Sequence, residues 1–271
     1  VFDETHGPVA PGTPWSLLYN DHPWRPQPQV AEGELTHARG WLRWDTRNDR
    51  EDPSVGWLID IEAEQGLEGD LTLLVPTAGP GPDPVLVEQP VNAEYTAVRL
   101  DARRYLRMGP RTRMALRAVF EGSPDDGALP PQRQAVLGGE GSLPGYERFE
   151  MDCGARDTPP MVEGYFTHYG CDRMILLQAE LRFAILPGFS LGRRLGLDFD
   201  VVTTPELVLF ADAGRAWVEP ESVGYRADTG PGTLRWDVGA GLRLGRLGLY
   251  LAVPLDDGGG ANFFVRLGPR L

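Results

Sequence analysis

A chain of 271 residues that is 41% hydrophobic, with 34 glycines and 25 prolines, is too apolar to be disordered, and it is long enough for one large all-β or α/β domain or two small ones. Its formal charge of -13 provides no basic excess with which to displace counterions from a phosphate backbone, which sets nucleic acid aside as a partner. No window approaches the roughly 18 consecutive apolar residues of a transmembrane helix, but a membrane β-barrel stays open, since its strands need only about ten residues of alternating hydrophobicity.

Residues 1–34 are rich in Pro, Gly and Asp around one short apolar island, SLLYND, and read as a lead-in or turn segment. From Glu34 the texture changes. GELTHARGWLRWDTRN places Leu35, His37, Arg39, Trp41 and Arg43 on one face of a predicted strand and Thr36, Ala38, Gly40, Leu42 and Trp44 on the other. VGWLIDIEAEQG does the same with Trp57, Ile59, Ile61 and Ala63 against Asp60, Glu62 and Glu64. LTLLVP extends the sheet, and the proline-laden stretch 76–92 reads as a loop. Two further strands follow, one alternating Val98, Leu100 and Ala102 with Arg99, Asp101 and Arg103, the next Met114, Leu116, Ala118 and Phe120 with Arg113, Ala115, Arg117 and Val119. They are predicted to form a hairpin around MGPRT.

A long loop spans about 121–172. After it, DRMILLQAELRFAI, ELVLFADAGRAW, LRWDVGAGLRLG, LGLYLAVPLDD and NFFVRLGPRL bring the count to nine predicted strands. The one candidate for a helical turn is LPGFSLGRRLGLDF. The polar faces mix Arg, Asp and Glu, as an ion-paired lumen would, yet alternation alone fits a soluble sandwich as well as a membrane barrel.

The most glycine-rich stretch is LGGEGSLPGY, residues 137–146, with Gly138, Gly139, Gly141 and Gly145 in ten positions. It lacks the GK[ST] of a phosphate cradle, and Ser142 sits outside a G-x-S-x-G turn, which sets both enzyme readings aside. The four histidines show no H-E-x-x-H spacing, and Asp256 with Asp257 offers only a turn-type calcium candidate. The expectation is therefore no catalytic residue, metal or cofactor. Cys153 and Cys171 are a candidate disulfide closing a loop of about 18 residues, worth roughly 3 kcal/mol and suited to an oxidising compartment; two free thiols are the alternative.

The order of short motifs carries more. WDTRND, YTAVRLDARRYL, GALPPQRQAVLGGEGSLPGY, GCDRMILLQAELRF, LVLFADAGRAW, DVGAGLRLG, LGLYLAVPL and FFVRLGPRL together resemble the barrel domain of the BamA/TamA family of outer-membrane assembly and translocation proteins, over residues 26–271. The resemblance implies an all-β fold, an antiparallel transmembrane β-barrel of the outer-membrane type, with 35–271 holding the last nine of sixteen strands. Because nine antiparallel strands do not close neatly, a fragment is expected; a smaller barrel recruiting 1–34 as a tenth strand is the lesser option. The chain does not begin with Met, which also fits a processed or truncated chain.

In that family LGGEGSLPGY looks like the inward-folded tip of the extracellular loop before the twelfth strand. Gly138 and Gly139 supply its Gly-Gly pair, while Pro144, Gly145 and Tyr146 stand where the family has Arg-Gly-aromatic. The family's arginine is thought to reach the Asp of an F-x-D-x-G strand motif, kept here as Phe210, Asp212 and Gly214. Pro144 offers no cation, so Arg148 is the candidate replacement anchor. NFFVRLGPRL resembles the C-terminal strand signal, with Phe263, Val265 and Leu267 alternating, but it ends in Leu271 rather than Phe or Trp.

The function this implies is insertion or translocation of polypeptides at the outer membrane of a Gram-negative-type bacterium, without covalent chemistry. Its partners would be outer-membrane lipid and client polypeptides or other assembly subunits. The alternatives are a translocator or anchor barrel for a fused or partner patatin-like enzyme, and a passive plugged pore.

Overall fold

The computed structural model describes residues 31–77, 85–125, 127–147, 153, 170–185, 189–190, 202–219, 232–256 and 260–271. Residues 1–30 of the lead-in expected at 1–34, most of the candidate helical turn at 186–199, Arg148 and Asp257 lie outside them, and the rest of that lead-in, from Glu32, is already strand. The strands are β1 (Glu32–Asp45), β2 (Gly56–Thr77), β3 (Val85–Val91), β4 (Thr96–Arg107), β5 (Thr112–Gly122), β6 (Arg173–Ala184), the two-residue β7 (Phe189–Ser190) and β8 (Val202–Thr203), β9 (Pro205–Trp217), β10 (Arg235–Leu244), β11 (Leu247–Pro254) and β12 (Asn262–Leu267).

One antiparallel sheet runs β1-β2-β4-β5-β6-β9-β10-β11-β12, with β3 paired to the distal part of β2, and β7 and β8 pair separately. The main path matches the nine predicted strands. The stretch 76–92 departs from its expected loop: Val85–Val91 is a strand even though it contains Pro90. The reason is position, because among the described residues β3 pairs only with β2, and an edge strand has a side on which a missing N–H is harmless. The β4–β5 hairpin turns at Met108–Arg111, where the Met108 and Gly109 N–H groups both donate to the Thr112 carbonyl at 3.0 and 3.2 Å.

The two faces of this sheet are inverted relative to a soluble protein. Outward residues are apolar and exposed, among them Leu177 (54%), Leu209, Leu249, Leu251 and Phe263 (66%), while inward residues include the buried Glu180 (2%), Arg182, Asp212, Asp237 (0%) and Arg243. In water each such leucine would forgo roughly 1.5–3 kcal/mol of burial, which lipid contact restores. This decides between the sandwich and the barrel in favour of the barrel. Trp44 and Trp57 lie outward at one end of the strands and Trp236 and Phe263 at the other, where membrane–water interfaces favour aromatic rings. Arg104 caps the outer face of the Trp57 ring at 4.9 Å. No described helix is long and apolar enough to cross a membrane, which says nothing against crossing by strands.

The sheet does not close among the described residues, but it curls. The β1–β2 turn is shaped by Asn48, whose Oδ1 accepts the Ser54 and Val55 N–H groups at 2.9 Å, and by Asp49, which accepts those of Glu51 and Asp52. That turn swings Asp52 into the mouth of the curl, where its carboxylate meets Arg113 at 2.6 Å, Arg243 at 2.9 Å and Arg182 at 3.4 Å. One acidic residue in a turn thus ties the turn to β5, β6 and β10.

Burial pushes the Asp52 carboxyl up, but hydrogen bonds from Arg113 and Arg243 outweigh it and hold the group below its ordinary range. A depressed carboxyl pKa contributes stability above the unfolded value and loses it as pH falls through the folded one. Protection of residues 46–55 against hydrogen exchange, taken relative to the intrinsic rate at each pH, is therefore expected to stay high at pH 5 and to fall only below about pH 4. Asp52→Asn should be poorly protected at both values; equal protection in the two proteins at pH 5 would show that the latch is not electrostatic.

Candidate functional site

Strand register assembles a polar wall from residues far apart in sequence. One row crosses β5, β6, β9 and β10 as Arg117, Gln178, Asp212 and Asp237; the next row crosses the same strands as Ala115, Glu180, Phe210 and Gly239. Against this wall lie two segments, the loop 127–147 and the tail Gly268–Leu271.

The loop enters as a folded unit. Ala135 and Cys171 exchange backbone hydrogen bonds at 2.8 and 2.7 Å, and Cys171 is bonded to Cys153, so the disulfide alternative is the one observed. Asp172, fully buried, accepts the Leu129 N–H, the Gln134 amide and the Glu219 N–H, closing the loop's base. Gly138 (φ 111°) and Gly139 (φ 81°) occupy the left-handed region, which explains the Gly-Gly pair in physical terms. Ser142 Oγ closes the turn by accepting the Gly138 N–H at 2.8 Å and donating to the Gly138 carbonyl at 2.9 Å. Gly141 has open space around it, so packing does not demand a glycine there.

The tip is docked by hydrogen bonds to the wall rather than by an arginine of its own, with Arg117 and Arg266 of the wall donating to the Gly141 and Glu140 carbonyls at 3.3 and 3.4 Å. The Gly145 N–H donates to Asp237 Oδ2 at 2.7 Å, Tyr146 Oη donates to the Trp236 carbonyl at 3.0 Å, and Asn262 donates to the carbonyls of Pro144 and Gly145 at 3.2 and 2.9 Å. Gln178 donates to the Ser142 carbonyl at 2.7 Å. Leu137 and Leu143, both fully buried, pack over Gly214; a Cβ there would sit 2.9 Å from Leu137 Cδ1. The glycine of the F-x-D-x-G motif makes room for the loop's leucines.

The loop does not reach Asp212 through an arginine. Asp212 receives a two-pronged contact from Arg270, Nη1 at 2.7 Å and Nη2 at 3.0 Å, while Arg270 Nε donates to Glu180 at 2.9 Å and the guanidinium lies 4.1 Å over the Phe210 ring. Arg182 pairs with Glu180 and donates to the Leu271 carbonyl at 3.1 Å. The cation on the strand motif thus comes from the tail, while Pro144 only lends a carbonyl, and Arg148 is not among the described residues.

That arrangement also corrects the expected C-terminal strand signal. Phe263, Val265 and Leu267 do face outward, but β12 ends at Leu267, Gly268 adopts φ 104°, and Leu271 turns inward to 2% exposure against Tyr105 and Ala115. Leu271 is thus no fourth outward residue. Sequence reasoning missed Asp237, Arg270, Glu180, Asp172 and Asp52. A signal for the tail existed: Gly268-Pro269 breaks a strand, so alternation has no claim on the two residues beyond it.

Aromatic packing completes the wall. Phe210, Tyr250 and Phe264 cluster, Tyr250 and Phe264 stacked at 5.0 Å. A Cβ on Gly239 would meet Phe210 Cζ at 2.1 Å, so this glycine lets the ring under Arg270 lie flat on the sheet. Among the described residues no three His, Cys, Asp or Glu side chains are grouped to hold a metal, and Asp256 is paired with Arg235 at 2.7 Å.

A family model, the Omp85 superfamily domain, matches residues 31–263. Comparison with curated proteins finds no match. Among solved structures, the crystal structure of BamA from Haemophilus ducreyi lacking POTRA domains 1-3 is similar over 84% of this chain, at 17% identity and a TM-score of 0.53. The match covers 40% of that structure, so the chain spans well under half of its length.

Proposed function

The chain belongs to the Omp85 superfamily, and from that premise we propose that it is the C-terminal part of an outer-membrane barrel that inserts or translocates polypeptides in a Gram-negative-type bacterium. It works on this reading by strand templating rather than covalent chemistry, with lipid and client polypeptides as its partners. The observation that carries the reading is the antiparallel sheet itself, apolar and exposed on its outer face and charged on its inner one across the residues that match the family.

A urea-unfolded eight-stranded outer-membrane barrel protein, diluted into vesicles, is the probe. With this protein reconstituted in the vesicles, folding of the probe is expected to run several-fold faster than in empty ones. Equal rates would reject the proposal.

A second reading, a plugged pore, is favoured by the way the loop, the tail and the Asp52 turn all lie on the inner face. It predicts ion conductance that stays low in the parent protein and rises when Arg270 is replaced, with no effect on the folding of the probe.

A further inference from the structure

Between β4, the loop tip and the tail the inner face holds a cavity of about 310 Å3, lined by Arg47, Arg99, Arg103, Arg117, Arg266 and Arg270. Among the described residues no acidic side chain lines it. The carboxylates that hold these arginines stand behind the lining: Asp45 on Arg47 at 2.8 Å, Glu121 on Arg99 at 3.1 Å, and Asp212 and Glu180 on Arg270. Since Glu180 also pairs with Arg182, two of the lining guanidiniums exceed what the carboxylates neutralise. Arg103 and Arg117 share the single carboxylate of Asp101, at 2.9 and 2.7 Å, and Arg266 donates to a neutral acceptor, the Glu140 carbonyl, at 3.4 Å.

Like charges turned toward one partly enclosed space repel each other more strongly than in bulk water, and a shared anion relieves that repulsion. Guanidinium forks fit planar or tetrahedral oxyanions best. At about 30 Å3 per water, the cavity holds the volume of roughly ten waters, enough for a phosphate or diphosphate with part of its hydration shell and too little for a folded peptide. We propose that this cavity is an oxyanion site for a phosphate or diphosphate group, carried by a free ion or by a lipid headgroup, with Arg266 as its uncommitted guanidinium.

The test is 31P NMR of inorganic pyrophosphate added to the detergent-purified full chain. The protein should broaden the pyrophosphate resonance, and chloride at matched ionic strength should not reverse the broadening. Arg266→Gln is expected to weaken binding at least tenfold while leaving the unfolding midpoint where it is, since Arg266 takes no part in the Arg270 clamp. Arg99→Gln, altering a residue on the opposite wall, is the second variant and should weaken binding as well. In nanodiscs containing a phosphomonoester lipid, broadening of the lipid phosphate that pyrophosphate competes away identifies the headgroup as the source; pyrophosphate binding without it identifies the free ion. No broadening by the parent, or equal binding by both variants and the parent, would overturn the site, as would binding of a polyglutamate peptide that pyrophosphate does not displace.

Discussion

Replacing Arg270 with alanine is expected to destabilise the barrel by roughly 3–5 kcal/mol, the usual cost of removing one partner from a buried ion pair. Asp212 and Glu180 are 1% and 2% exposed, so neither can rehydrate when the guanidinium is gone, and Asp237, the register neighbour of Asp212, adds a third carboxylate to the same patch. Arg182 stays on Glu180, which leaves Asp212 as the stranded group. Arg270→Lys should recover only part of the loss, since an ammonium cannot make the two-pronged contact to Asp212 while lying flat over Phe210. The double variant R270A/D212N removes the stranded charge along with its partner and should be more stable than R270A alone. Thermal unfolding in detergent reads all three. A double variant no better than the single one would mean that the tail contributes through packing of Leu271 rather than through the ion pair.

A second large effect is expected at the loop tip. Gly145 is pressed against the wall so closely that a Cβ would lie 2.7 Å from Asp237 Cβ and 2.9 Å from the Pro254 nitrogen, the latter being backbone and unable to yield cheaply. Gly145→Val combines an overpacking cost of roughly 1–3 kcal/mol with loss of the N–H bond to a carboxylate, worth roughly 1.5–3 kcal/mol. About 3 kcal/mol in total corresponds to a loop released some 100-fold more often. Limited proteolysis should then cut within 123–172 at least tenfold faster while the thermal midpoint of the barrel moves little, because the strands and the Arg270 clamp are untouched. Asp237→Asn, which keeps the shape and an acceptor, should lie between the two proteins. Unchanged cleavage in Gly145→Val would show that the disulfide and the Asp172 base hold the loop without its tip. Asp212→Ala, in contrast, is expected to loosen the tail before the loop, since no described loop residue bonds to Asp212.

The strands were legible because membrane barrels write their faces in period two. Leu177 and Gln178, or Phe210 and Ala211, take opposite sides by the pleat alone, so the inner and outer rows follow from the sequence once a strand is recognised. The loop's Gly-Gly pair and the disulfide partners were legible for local reasons, a left-handed turn at 138–139 and two cysteines 18 residues apart. Pro90 misled, because a proline excludes a central strand but not an edge, and edge status is a property of the whole sheet.

The anchor of the loop and the owner of Asp212 were not legible. Arg270 is 58 residues from Asp212, and Gly145 is 92 from Asp237. Their meeting depends on register across several strands and on a tail that doubles back at Gly268. Alternation and motif order by themselves determined the nine strands of the sheet's main path, though not β3, together with the apolar side of each strand and the family. Tertiary structure decided which charge answers which. Inward positions look alike in the sequence, and only the curl of the sheet brings one arginine within bonding distance of a given carboxylate in a space where leaving it unanswered costs several kcal/mol.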